Sequence, residues 1–176
     1  GVADMRYVLA AAAELAEAVT APLVLVTKST VPVGTSSRIE RTVRRLARGI
    51  PVEIVSNPEF LREGEAIGDF MRPDRIVAGC ASQAAILFMR ALYAPLIANG
   101  APFLTTTPQS AELIKYASNA FLAMKVTFIN EMADLCEGTG ADVSDIALGM
   151  GLDQRIGPKF LRAGPGFGGS CFPKDI

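Results

Sequence analysis

The sequence predicts an α/β fold, in which an open parallel sheet with helices on both faces precedes a long helix and an all-α region. Short apolar runs alternate with amphipathic helical patterns as far as residue 104, which is typical of such a sheet. One helical pattern then runs from Thr107 to about Glu137, where two glycines end it. The domain boundary is therefore predicted after residue 104, between regions 1–104 and 105–176.

Each predicted element has its own local signal. The chain opens with an alanine- and leucine-rich helix over 3–19. The helix over 36–48 places Ile39 and Val43 on one face and arginines on the others, which we interpret as a solvated face rather than a phosphate site. Asn57 and Pro58 are predicted to open a helical turn. The remaining helices are predicted over 82–96 and 142–148, and the strands over 23–27, 52–55, 75–79 and 102–104.

Composition limits the classes of function. The chain of 176 residues has 17 basic and 18 acidic side chains, which argues against a nucleic-acid partner. The longest uncharged run, 91–111, contains three prolines, so no membrane span is predicted. There is no histidine, which excludes serine–histidine and cysteine–histidine relays and leaves acid–base work to carboxylates, lysine or water. The chain does not begin with methionine and stops just after its most reactive segment, so a slice of a longer protein is expected.

The glycine-rich run GPGFGGSCFPKD at 164–175 predicts a reactive thiol. Glycines let the backbone approach a ligand and leave N–H groups free, and those groups together with the Lys174 ammonium lower the pKa of a thiol. Cys171 is therefore predicted to be a catalytic nucleophile. A free cysteine is otherwise a small buried hydrophobe, which suits Cys80 and Cys136 among their apolar neighbours. The wide spacing of the three predicts no disulfide framework and no metal site, and a reduced, cytoplasmic setting.

Two pairs of polar residues are spaced by four. Lys115 and Asn119 lie on the predicted long helix and project from one face. Their ammonium and amide groups would suit a developing oxyanion, although a lysine there could equally snorkel to solvent. For Glu59 and Glu63, the residues alone favour surface carboxylates near a helix N-terminus.

Two loops are further candidates for ligand binding. The strand-to-helix loop 28–35 lies at the sheet edge where ligands bind in open α/β folds, which is weak support by itself. Three cations within 153–162 would suit a diphosphate or form an ordinary basic surface. The glycines from 164 onward imitate GxGxxG but follow helices rather than a strand, so we do not interpret them as a dinucleotide loop.

Together these segments resemble the UDP-glucose/GDP-mannose dehydrogenase family, and its UDP-glucose members in particular. The matching blocks are KSTVPVGT at 28–35, NPEFLREGEAIGDF at 57–70, RPDRIV at 72–77, AELIKYASNAFLAMKVTFINEMADLCEGTGADV at 111–143, DQRIGPKFL at 153–161 and GPGFGGSCFPKD at 164–175. The resemblance implies that 1–104 is the second half of a Rossmann-type NAD-binding domain. Region 105–176 would be most of a central helical dimerisation domain, with the first βαβ unit and a C-terminal domain absent.

The resemblance also implies a reaction, the NAD-dependent four-electron oxidation of UDP-glucose to UDP-glucuronate, a polysaccharide precursor. Cys171 would hold the C6 aldehyde as a thiohemiacetal, which loses a second hydride to become a thioester. Lys115 with Asn119 would stabilise oxyanions, Asp175 would assist through a water, and Glu59 would serve thioester hydrolysis.

The remaining implied site residues contact the cofactor or the substrate. The implied cofactor contacts are Ser29, Thr30, Glu63 and Lys174, with Thr30 also among the catalytic residues. The implied substrate contacts are Glu59, Phe60, Leu61, Arg62, Glu63, Lys115, Asn119, Phe160, Leu161, Arg162, Ala163, Gly164 and Gly168. Arg155 would reach the substrate of the partner subunit in a homodimer.

Two alternatives stay open. The same chemistry could act on GDP-mannose or a UDP-N-acetylhexosamine, although the run RIGPKFL before the glycine loop favours UDP-glucose. From another class, the chain could be a non-catalytic nucleotide-sugar-binding or dimerisation fragment, and by itself it is expected to be inactive. No metal is predicted.

Overall fold

The computed structural model describes residues 4–167. The chain divides into two compact units, 1–115 and 116–176. In order the elements are α1 (Arg6–Ala18), β1 (Leu23–Thr27), α2 (Thr35–Leu46), β2 (Val52–Ser56), α3 (Ala66–Met71), β3 (Ile76–Cys80), α4 (Gln83–Leu92), α5 (Ala94–Ala98), β4 (Phe103–Thr106), α6 (Pro108–Thr139) and α7 (Val143–Gly151). This alternation confirms the predicted α/β class and all four predicted strands. The division falls within α6, and the predicted domain assignment, with its boundary after residue 104, stays a prediction.

The sheet is mixed rather than wholly parallel. Its order is β1-β2-β3-β4, with β1–β2 and β3–β4 parallel. Strands β2 and β3 are antiparallel and pair only through Val55↔Cys80 and Ser56↔Gly79, so the prediction of a fully parallel sheet is wrong at this step. The connection between them contains only the six-residue α3. Such a helix rises about 9 Å, against about 16 Å for a five-residue strand, and is too short to carry the chain back along the sheet.

Helices cover both faces of the sheet, as predicted. On one face, α1 and α2 bury Ala16, Ile39 and Val43 against Ile54 of β2. On the other face, the next residue of β2, Val55, packs with β3 and α4. Successive strand residues point to opposite faces, so β2 supplies both cores.

Two local helix predictions are wrong. No helical turn opens at Asn57, since α3 begins at Ala66. The Asn57 side chain is buried and its Nδ2 donates to the carbonyl oxygen of Val77 at 2.7 Å, so this amide extends the contact between β2 and β3 instead of capping a helix. The single helix predicted over 82–96 is divided at Tyr93 into α4 and α5. Pro95 lies in the first turn of α5, where its missing N–H is tolerated.

The second unit is helical in the part of it that the structure describes. Helix α6 spans 32 residues and passes from the first unit into the second. Asp142 caps α7 by accepting from the Ser144 N–H at 2.7 Å. Gly151 at the end of α7 lies so close to Pro158 that an added Cβ would be 2.9 Å from its Cα. Within residues 4–167, no helix combines the length and apolar character that crossing a membrane requires.

Gly79 in β3 allows α6 to begin against the sheet. A Cβ at this position would lie 2.6 Å from Ala111 Cβ and 2.7 Å from Pro108 Cα, both at the start of α6. We expect Gly79→Ala to lower the free energy of unfolding by about 1–3 kcal/mol, because the overlap falls on backbone and a β-carbon that cannot turn away. Urea unfolding of the protein measures this change.

Gly68→Ala is the matched control. A Cβ at Gly68, inside α3, would lie 3.7 Å from the Glu65 carboxylate, an ordinary contact. Alanine is favoured over glycine in a helix by about 1 kcal/mol, so this variant should be as stable as the unsubstituted protein or more so. Equal stability of the two variants would contradict the close packing at Gly79.

Candidate active site

Lys115 is buried in the second turn of α6. It is 5% exposed, and its Nζ lies 3.5 Å from Glu59 Oε2 and 5.5 Å from the centroid of the Phe60 ring. The snorkelling alternative is therefore wrong, because the ammonium ends inside the unit. A buried charge is costly without a partner, and Glu59 supplies the opposite charge.

Glu59 lies in the irregular loop that follows β2, so the interpretation that places it near a helix N-terminus is wrong. Its Oε2 also accepts the N–H of Leu61 at 2.9 Å. The side chain is 32% exposed, so the carboxylate is partly open to water although its Oε2 faces Lys115.

The same loop carries other predicted substrate residues. The Arg75 guanidinium stacks on the Phe60 ring, with its Cζ 3.9 Å from the ring centroid. Arg62 is exposed and forms two parallel hydrogen bonds with Asp69, of which Nη2–Oδ1 is 2.6 Å. This side-chain hydrogen bonding raises the pKa of Arg62. Ion pairing thus joins the loop to α3, while cation–π stacking joins it to the residue before β3.

Glu112 is a residue of α6 that the sequence patterns did not predict to have a role. Its side chain is buried against the N-terminus of α2. Its carboxylate accepts the N–H of Gly34 at 2.6 Å, the N–H of Ser36 at 2.7 Å and the Ser36 hydroxyl at 2.7 Å. Gly34 has φ 93°, a left-handed conformation that glycine adopts without strain. A negative charge is stabilised at a helix N-terminus, and Glu112 lies one turn before Lys115 on α6.

The predicted cofactor loop leaves the sheet beside the Glu59 loop. Thr27 and Ser56 are paired at the ends of the parallel strands β1 and β2, so the two loops begin side by side. Ser29 is exposed and Thr30 is half-buried, while Glu63 is exposed in the neighbouring loop. Hydroxyl groups at the carboxyl end of a parallel strand fit the polar part of a dinucleotide.

In the second unit, the predicted substrate loop is joined to α6. Asn119 is 7% exposed, one turn after Lys115. Gly164 donates its N–H to Asn130 Oδ1 at 3.0 Å, and Leu161 is buried. Phe160 has φ 66°, a left-handed conformation that is uncommon away from glycine. In this loop Arg162 is exposed and Ala163 is half-buried.

Arg155 is exposed and pairs with Asp153, with 2.6 Å between Nη2 and Oδ2. Hydrogen bonds from Arg155 lower the pKa of the Asp153 carboxyl. The arginine is therefore held by a near neighbour in the chain, and its predicted role toward a partner's substrate stays a prediction.

Four predicted site residues lie outside the described residues: Gly168, Cys171, Lys174 and Asp175. The other two cysteines are free and buried, which confirms their interpretation as core residues. Burial raises the pKa of the Cys80 thiol, which keeps it protonated and unreactive. Within residues 4–167, no cluster of three acidic or cysteine side chains could hold a metal ion.

Comparison with known proteins agrees with the resemblance. Residues 1–97 match the NAD binding domain of the UDP-glucose/GDP-mannose dehydrogenase family, and residues 109–176 match its central domain. The chain belongs to this family. Its first matched region also assigns the cofactor, which is NAD.

Individual relatives match nearly the whole length of the chain. A UDP-glucose 6-dehydrogenase from Rhizobium meliloti is 59% identical over 99% of the chain, which spans 40% of that protein. A solved UDP-glucose dehydrogenase from Pyrobaculum islandicum superposes with a TM-score of 0.93 at 46% identity, over 99% of this chain and 40% of that one. A GDP-mannose dehydrogenase from Pseudomonas aeruginosa superposes with a TM-score of 0.80 at 30% identity, over 98% and 41%. The chain thus spans about two fifths of the length of these relatives.

The bonds of Glu112 can be tested by removing its charge. We expect Glu112→Gln to lower the free energy of unfolding by about 1–3 kcal/mol, because one carbonyl oxygen replaces two acceptors and the new NH₂ group faces N–H donors. Chemical denaturation gives the value. The control is Glu14→Gln on the exposed side of α1, which should change stability little. Equal changes in the free energy of unfolding for the two substitutions would show that the Glu112 hydrogen bonds do not stabilise the start of α2.

Proposed function

We propose that a full-length family protein carrying this chain oxidises UDP-glucose to UDP-glucuronate with two molecules of NAD⁺. The observation that supports this most directly is the pairing of the buried Lys115 with Glu59, in a chain 59% identical to a UDP-glucose 6-dehydrogenase. The identity to the GDP-mannose dehydrogenase is only 30%, which favours a UDP-glucose substrate over GDP-mannose.

The balanced reaction is UDP-glucose, two NAD⁺ and water giving UDP-glucuronate, two NADH and three protons. When bound, NAD⁺ accepts a hydride from C6 in each oxidation. In this proposal the Cys171 thiolate adds to the C6 aldehyde between the two oxidations and forms a C–S bond. The thiohemiacetal formed in this way becomes a thioester when C6 gives up its second hydride, and water then cleaves the C–S bond to release the carboxylate and the thiolate.

The chain's described residues fit supporting roles in this sequence. The Lys115 ammonium is shielded from bulk water, so a hydrogen bond from it to an oxygen gaining negative charge at C6 is stronger than in solution. The Glu59 carboxylate is partly open to solvent and can orient or deprotonate the hydrolytic water. As the resemblance implies, Asn119 helps to stabilise the oxyanions and Asp175 assists through a water molecule. Ser29 and Thr30 of loop 28–34 contact NAD in this proposal.

The proposal includes a homodimer formed through the central helical domain. Exposed apolar side chains on α6 from residue 121 onward support it, since such a face is stabilised by burial against a partner. They are Phe121, Met124, Phe128 and Leu135. Arg155, whose side chain is 88% exposed, would then reach the substrate of the partner subunit. We place the enzyme in the cytoplasm, in the synthesis of polysaccharide precursors.

The stoichiometry of the reaction tests the proposed chemistry. Incubation of the full-length protein with limiting UDP-glucose and excess NAD⁺ should release two NADH per sugar, measured by absorbance. GDP-mannose and a UDP-N-acetylhexosamine serve as competing substrates. One NADH per sugar would reject the four-electron reaction, and faster turnover of another sugar nucleotide would reject the proposed substrate.

The nucleophile is tested by Cys171→Ala. We expect turnover to be abolished while the dissociation constant for UDP-glucose, measured by calorimetry, changes little, because the thiol acts on C6 rather than on the nucleotide. Cys80→Ala removes a buried thiol elsewhere and should retain activity. Loss of sugar binding in Cys171→Ala would make that cysteine structural.

A further inference from the structure

A network of three side chains joins the two candidate loops where they leave the sheet. Lys28 is the first residue after β1 and Asn57 is the first after β2. The Lys28 Nζ donates to Asn57 Oδ1 at 2.8 Å and to the Tyr93 hydroxyl oxygen at 3.1 Å. Tyr93 lies between α4 and α5, and its hydroxyl donates to Asn57 Oδ1 at 2.6 Å. Lys28 begins the candidate ligand loop 28–35, but neither Lys28 nor Tyr93 has a role of its own that the sequence alone predicts.

The backbone N–H and both polar side-chain atoms of Asn57 form hydrogen bonds. Its N–H donates to the Thr27 carbonyl at 2.8 Å and its Nδ2 to the Val77 carbonyl at 2.7 Å, so it connects the ends of β1 and β2 with β3. Asn57 is 2% exposed and Tyr93 is 8% exposed. Because every polar atom of the Asn57 side chain is engaged, its position is well determined.

The position of this network relates it to the reaction. Loop 28–34 carries Ser29 and Thr30, and the loop from 57 carries Glu59 and Phe60. Rotation of the backbone at Lys28 or Asn57 would move these groups against one another, and such shifts are costly when hydride transfer depends on alignment. The acceptors of Lys28 are neutral oxygens within the described part of the chain, so the ammonium acts here as a connector rather than as half of an ion pair.

We propose that Lys28, Asn57 and Tyr93 are positioning residues that hold the NAD loop and the Glu59 loop in a fixed relation. This inference rests on the proposed function, because it assumes that the two loops serve one reaction. In this proposal the network acts without contacting the hydride donor or acceptor. It acts through Thr30 on one side and Glu59 on the other.

The test uses Lys28→Met and Tyr93→Phe in the full-length enzyme. Methionine keeps much of the length of the lysine side chain without its donors, and phenylalanine removes only one hydroxyl. We expect Lys28→Met to lower kcat about 10- to 100-fold, the effect of a misalignment near 1 Å, and Tyr93→Phe to lower it by a smaller factor. The double variant should lose no more than Lys28→Met alone, because both act through Asn57.

Three readouts separate positioning from a merely structural role. Tyr93→Phe removes a buried hydroxyl, so its thermal unfolding midpoint should fall by about a few degrees, while its kcat falls even at temperatures far below that midpoint. The apparent KM for NAD⁺ should rise with little change in UDP-glucose affinity. Rapid mixing should show a burst of NADH before a slower steady state, since a displaced Glu59 delays thioester hydrolysis. The controls Arg45→Met and Tyr7→Phe remove a cationic group and a phenolic hydroxyl at exposed positions and should leave kinetics unchanged.

Failure of the positioning role gives a different result from failure of the proposed function. If the unsubstituted enzyme does not oxidise UDP-glucose, the proposed function fails, and titration with NADH then tests whether Lys28→Met still weakens cofactor binding. If the unsubstituted enzyme is active and both variants keep kcat and KM for NAD⁺ within about twofold, the positioning role is overturned. A kcat of Tyr93→Phe that returns to the unsubstituted value at temperatures far below the unfolding midpoint would also overturn it, in favour of a packing role.

Discussion

The seating of the Glu112 carboxylate on the N-terminus of α2 is the constraint on which the rest of the first unit depends. A carboxylate that is 2% exposed is costly to bury, and here hydrogen bonds from Gly34 and Ser36 offset that cost. The bonds connect α6, which follows β4, to α2, which follows β1. One charged group thereby connects the helix that follows the first strand with the helix that follows the last strand.

This attachment explains how Lys115 can be buried with its charge. Glu112 and Lys115 are three apart on α6, so holding the first also holds the second. Gly79 removes the steric obstacle on the sheet side, where Ala111 and Pro108 would meet any larger residue. The Lys115 ammonium then reaches the Glu59 loop rather than solvent. A small residue, a buried carboxylate and a helix N-terminus together determine where the candidate catalytic amine lies.

Much of the fold could be predicted because its signals are local. The four strands are short apolar runs between turns, and Ile39 and Val43 follow the helical period on the buried face of α2. Cys80 and Cys136 sit among apolar neighbours in the sequence and are buried. The errors occur where a distant partner competes with a local preference. Asn57 beside Pro58 has the pattern of a helix start. Its side-chain amide instead forms hydrogen bonds with the Val77 carbonyl and the Lys28 ammonium.

The sequence by itself determined the class of fold, the family, and which thiol, amine and carboxylates are candidates for the proposed reaction. It did so because periodicity and compact motifs depend on neighbours along the chain. Only the tertiary structure decided that β3 runs against β2, that Lys115 is buried beside Glu59, and that Glu112 and the Lys28–Asn57–Tyr93 network organise the sheet edge. These contacts are formed between residues 20 to 78 positions apart in the chain. They are stabilised by burial and hydrogen bonding, which a pattern of neighbouring residues does not reveal.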